Sequence, residues 1–192
     1  MMLENISDSY YNKGLIHFQN NDLTTAKGLF QKAINFNPKV SHYYNIQGLC
    51  LYQLGEFNKT KIVWEQSMSL ENKEHNSAYK YLKMLDEEGF QNLSKQYNKA
   101  YDYALNQDFK KAIDLIKNNH LQDYNMAKIN NFCGLCYYGK GNRTKAFKVW
   151  QGVLKNDTTN PQALQYLSQI DIQQNGLNKT IDKFKKLLKR SL

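Results

Sequence analysis

The 192-residue chain carries only two prolines and ten glycines. Sandwiches and barrels need many tight turns, so this scarcity argues against them and for helices. No run approaches the ~20 apolar residues of a membrane-spanning helix. The first fourteen residues lack an apolar core and include Glu4 and Asp8, so no secretion signal is expected and a cytoplasmic setting is. The three cysteines are then expected as free thiols. Catalytic groupings are also missing. His17, His42, His75 and His120 have no ligand-type spacing, and there is no Ser-His-Asp set, no phosphate-cradling glycine loop and no spaced carboxylate pair. Cys133-x-x-Cys136 falls in the middle of an expected helix, without the helix N-terminus that activates a redox thiol or the second ligand pair that zinc requires. The expectation is a non-enzyme with no cofactor and no metal.

What is present is 41% apolar and 13% aromatic, enough for a folded core. The net charge of +9 is concentrated in the tail, where residues 179–192 hold six cations against Asp182 and leave +4 elsewhere. Lys outnumbers Arg 24 to 2, and Asn, Tyr and Ile are common, as in a low-GC genome of the Firmicute type.

The dominant signal is internal repetition. Gly14 and Gly48 stand 34 apart, as do Ala26 and Thr60, Phe30 and Trp64, and Ala33 and Ser67. Ala100, Gly134 and Ser168 form a ladder at the same spacing, as do Ala112, Ala146 and Thr180, and Ile116, Trp150 and Phe184. A small residue, another twelve later and a large apolar one four beyond describe two helices that approach closely and a side chain that fills the gap. A second period overlays the first. At an offset of 86, Tyr11, Asn45, Gly48, Cys50, Tyr52 and Trp64 meet Tyr97, Asn131, Gly134, Cys136, Tyr138 and Trp150. The chain therefore reads as an internal duplication.

These residues resemble the tetratricopeptide repeat (TPR). The first copy is most similar, with Gly14, Ala26, Phe30, Ala33 and Pro38 at the family's marker positions. The resemblance implies an all-α, TPR-like right-handed α-solenoid of antiparallel helix hairpins, about eleven helices, spanning 1–192. Two similar blocks are expected at 4–88 and 93–174, with a C-terminal capping helix at 177–190. Helices are expected at 4–19, 23–36, 41–53, 57–70, 75–88, 93–106, 110–118, 126–139, 143–155, 161–174 and 178–190, with Asp22, Ser41 and Asn160 as N-caps.

In the family the first helix of each pair lines a concave groove. Carried onto this chain, that implies Tyr11, Phe18, Asn45, Tyr52, Tyr79, Tyr97, Asn131 and Tyr138 as partner-binding residues. Asn can donate to and accept from a peptide backbone, and Tyr offers large amphipathic contact area. The competing reading is that the same residues pack helices together. The clamp that holds chaperone C-terminal carboxylates is absent, since Tyr11, Leu15 and Ile46 occupy its slots. The implied function is a scaffold or adaptor for a protein or peptide segment. Two alternatives stand beside it. One is a basic surface binder that uses Lys179, Lys183, Lys186 and Arg190 on anionic membrane or nucleic acid, against a plain capping role for that helix. The other is a peptide-sensing regulator.

Overall fold

The computed structural model describes residues 2–171. They form ten α-helices, and no strand occurs among the described residues. The helices are α1 (Met2–Gln19), α2 (Leu23–Phe36), α3 (Ser41–Leu54), α4 (Phe57–Leu70), α5 (Ala78–Asp86), α6 (Glu88–Leu105), α7 (Phe109–Asn118), α8 (Ala127–Gly139), α9 (Arg143–Asn156) and α10 (Pro161–Asp171). A 3-10 turn, Leu121–Tyr124, precedes α8. The fold is all-α, built from TPR-like helix hairpins. The expected helix at 178–190 lies outside the described residues.

Four hairpins, α1–α2, α3–α4, α6–α7 and α8–α9, share one turn. Asn21, Gly55, Gln107 and Gly141 are left-handed, with φ of 57°, 81°, 63° and 84°. The next residue's N–H then returns to a carbonyl five positions back: Asp22 to His17, Glu56 to Leu51, Asp108 to Tyr103 and Asn142 to Tyr137. This closes the carbonyls orphaned at the end of the first helix. Asp22 and Asp108 also accept from Thr25 N–H and Lys111 N–H, capping the second helix of their hairpins.

The described residues divide into two units, 2–91 with Asp157–Thr159, and 92–156 with 160–171. In the first, the ring of Phe30 lies over Gly14, and the indole of Trp64 over Gly48. A Cβ on Gly48 would stand 2.0 Å from Trp64 Nε1. Trp64 Nε1 donates to the Asn45 carbonyl at 3.2 Å, and its ring stacks on Tyr81 with centroids 5.0 Å apart. Ala78 and Leu85 of α5 complete this core. Asp157 accepts from the Thr24 N–H and hydroxyl at 2.9 and 2.7 Å, placing an anion at the first turn of α2.

The second unit repeats the device. A Cβ on Gly134 would stand 2.2 Å from Trp150 Nε1, which donates to the Asn131 carbonyl at 3.1 Å. Tyr166 packs on Trp150 with centroids again 5.0 Å apart. Asn76 and Asn160 are both buried, and each caps the helix that follows, accepting from Ala78 N–H and Ala163 N–H.

Several sequence boundaries need correction. The expected helix 75–88 begins only at Ala78, with Ser77 at the cap position and the Asn76 side chain accepting from Ala78 N–H, and stops at Asp86 because Glu87 is extended (ψ 145°). Helix α6 starts at Glu88 rather than 93, which places Glu88 in a first turn, where a carboxylate suits the helix dipole. Ser41 is not a cap. It is the first residue of α3, Val40 takes the cap position, and the Ser41 hydroxyl donates to Glu71.

Candidate functional site

The first helices of the hairpins, with Tyr79 on α5, carry the residues expected to meet a partner, and they differ in burial. In the first unit they remain accessible. Tyr11, Phe18, Asn45 and Tyr52 are half-buried, His42 is exposed, and Tyr79 is 38% exposed. Tyr11 leans on Phe30, His42 and Tyr43, with centroids 5.9, 5.1 and 5.0 Å away. Phe18 sits 6.4 Å from the same Phe30. Burial pushes the Tyr11 and Tyr43 hydroxyls upward, and the Tyr43 hydroxyl donates to Asp8 and also lies within bonding distance of the Ser7 hydroxyl. Tyr52 lies between Trp64, Phe57 and Phe90. Lys83 Nζ lies 4.9 Å from the centre of the Tyr79 ring, a cation–π pair on the surface.

Asn45 has a structural task as well. Its Oδ1 accepts from the Ser67 hydroxyl at 2.7 Å, and its Nδ2 donates to Ser77 Oγ at 3.2 Å. Asn76 Nδ2 in turn donates to the Ser67 carbonyl at 2.9 Å. The amide thus ties α3 to α4 and to the start of α5.

In the second unit the row is largely sealed. Asn131 is 2% exposed and Tyr138 3%, so both side chains are buried among the helices packed around α8. The cause is the composition of α8, apolar on every side from Phe132 to Tyr138, which demands neighbours all round. All of residues 131–138 are buried. Asn131 Nδ2 donates to Asn160 Oδ1 at 3.0 Å, but Asn131 Oδ1 has no partner, because Val153 stands where Ser67 stands in the first unit. The Tyr138 hydroxyl is also buried without a partner. Tyr97 is half-buried against Phe132, with Lys128 over its ring, and burial raises its hydroxyl pKa.

All three thiols are free and buried. Cys50 donates to the Leu23 carbonyl, and burial pushes Cys50 and Cys133 up to about 12 and Cys136 well above the usual range. No cluster of three or more metal-ligating side chains occurs among the described residues, and no described helix is long and apolar enough to cross a membrane. Lys179, Lys183, Lys186 and Arg190 lie outside the described residues. The sequence reading missed Tyr43, Phe57, Phe90 and Asn76. For Asn76 a signal existed, a lone Asn two residues before an apolar periodic run.

The hairpin geometry defines an all-α helical-repeat protein. A tetratricopeptide repeat model matches residues 7–40, which cover most of α1, its turn and α2. Among solved structures, a double mutant of MamA from RS-1 aligns at 14% identity over 96% of this chain and 93% of its own, with a TM-score of 0.39. A fragment of MamA from Desulfovibrio magneticus RS-1, residue 41 to its end, aligns at 16% identity over 96% of each chain, with a TM-score of 0.38. No curated protein matches the sequence.

Proposed function

We propose that the protein is a non-enzymatic interaction scaffold, working in the cytoplasm, that holds a protein or peptide segment on the first-helix face of its first unit. One observation carries this reading. Tyr11, His42, Asn45, Tyr52 and Tyr79 keep accessible area, whereas Asn131 and Tyr138, the counterparts of Asn45 and Tyr52, are sealed and only Tyr97, the counterpart of Tyr11, stays half-buried. Half-buried tyrosines held by packing lose little entropy when a partner lands on them. An internal duplication accounts for the matched cores, with the two copies since diverged into a binding half and a structural half.

A photo-crosslinking amino acid at His42 or Tyr79 tests the reading in the native host. Both sites should trap one discrete partner, and the same group at Phe36, exposed on α2, should not. Equal trapping at Phe36 would reject the assignment.

A further inference from the structure

Tyr11, Asn45 and Tyr79 stand 34 residues apart, on α1, α3 and α5, and each keeps a hydrogen-bond donor. Among the described residues no hydrogen bond engages the Tyr11 or the Tyr79 hydroxyl. Asn45 spends one Nδ2 hydrogen on Ser77 Oγ and keeps the other. All three side chains retain accessible area. Their helices meet in turn within the first unit: the rings of Tyr11 and His42 lie 5.1 Å apart, and Ser77, which Asn45 bonds, directly precedes α5. Helices in such contact stand about 8–10 Å apart, so this face offers one donor about every 9 Å. Charge is confined to the ends of the row. Helix α3 holds no Asp, Glu, Lys or Arg, whereas Asp8 is exposed on α1 and Lys80 and Lys83 are exposed on α5. Lys13 of α1 corresponds at the 34-residue spacing to buried Gln47, so it belongs to another face.

We propose that this row binds a proline-rich segment of a partner protein in the polyproline II conformation, an inference that rests on the reading that the first-helix face of the first unit holds a partner. A polyproline II chain repeats every three residues at about 3.1 Å each, so carbonyls facing one way recur about every 9.3 Å, and none is spent internally. That matches one donor per helix. A β-strand turns a carbonyl the same way every second residue, about 6.8 Å, and an α-helix spends its carbonyls on itself. Proline also strands no N–H against the face, and the accessible rings of Tyr11, His42 and Tyr79 can receive pyrrolidine rings. Charge complementarity sets the ends. From α1 to α5 is about 18 Å, or about six residues of neutral chain, with a cation at the Asp8 end and an acid at the Lys83 end. The chain itself holds only two prolines, so a second copy does not supply the segment. The second unit does not repeat the row, because Asn131 is buried and its Nδ2 bonds to Asn160 and Gln162.

The test is fluorescence anisotropy of a fluorescein-labelled peptide with about six prolines between Lys and Glu, made in both orders and titrated with the intact chain. One order should bind, and replacing its prolines by alanine or by threonine should weaken binding at least about tenfold. Tyr11→Phe with Tyr79→Phe keeps both rings and removes two donors, and should weaken binding about tenfold. Tyr103→Phe with Tyr124→Phe, the same change in the second unit, should weaken it by less than about twofold, with circular dichroism unchanged in both. Lys83→Glu should weaken it as well, and a peptide with Lys in place of its Glu should restore it. The proposal is overturned if the alanine or threonine peptide binds as tightly, if the two double variants lose equally, or if neither order binds. Each of these results leaves the scaffold reading standing on its own test, trapping at His42 and Tyr79, and failure there would remove both.

Discussion

Glycine acts with opposite sign at different positions of this chain. At Gly48 and Gly134 an indole occupies the space of the missing Cβ, and the indole is pinned by its bond to a backbone carbonyl. Gly48→Ala or Gly134→Ala should therefore cost about 1–3 kcal/mol, overriding the gain in helix propensity. Gly28, exposed in α2, has nothing within 4 Å of its would-be Cβ, so Gly28→Ala should stabilise by about 0.5–1 kcal/mol. Urea titration of the three variants checks both signs. Asn131 offers a second contrast. Ser67→Ala removes the donor to Asn45 Oδ1 and should cost about 1–3 kcal/mol. Val153→Thr, nearly isosteric, supplies the hydroxyl that Asn131 Oδ1 lacks and should be neutral or stabilising. A loss above about 1.5 kcal/mol for Val153→Thr would rule out that account of the orphaned oxygen. The same letter, Asn, thus stands half-buried and paired at 45, and buried and half-paired at 131. The sequence showed the two as equivalent, because what separates them lies about twenty residues further on, at Ser67 and Val153.

Helix junctions carry the electrostatics. Glu56, at the N-terminus of α4, is partly desolvated, which raises its pKa, but bonds from Lys27 and Lys59 outweigh this and hold it below the usual value. Asp22 is likewise held low: burial raises it, and its bonds to Thr159, His17 and Thr25 prevail. A carboxylate whose folded pKa is depressed stabilises the native state above its unfolded pKa, and that contribution disappears as pH falls through the folded value. Stability should hold above about pH 4.5 and decline below it, and Glu56→Gln should flatten the acid limb of a pH series of urea midpoints. The hairpins themselves were legible, because a small residue and a large one sixteen positions later demand a close helix crossing with a plug. The limits of α5 were not, because they depend on Asn76 and on the extended backbone of Glu87 rather than on apolar periodicity.

Each unit has its own core, so damage to one is predicted to stay there. Trp64→Ala should cost about 3–5 kcal/mol, and neighbour-limited coupling confines the loss. Cys50 should then react with a thiol reagent at pH 8 while Cys133 and Cys136 stay protected; labelling of all three would show one cooperative body. In the intact protein all three should be unreactive, because burial holds them as neutral thiols. How far each first-helix row would be covered could not be read from the residues, since coverage depends on every element packed against the row.

The two tryptophans, one per unit and the only ones in the chain, have a practical consequence. Both indoles are almost fully buried in matching surroundings, so their emission should be blue-shifted and nearly superimposable in the native state. Replacing either one by phenylalanine leaves a single tryptophan, which excitation at the red edge of indole absorption selects over the fourteen tyrosines. A pair of such variants would record two separate melting curves from one polypeptide, with no dye attached.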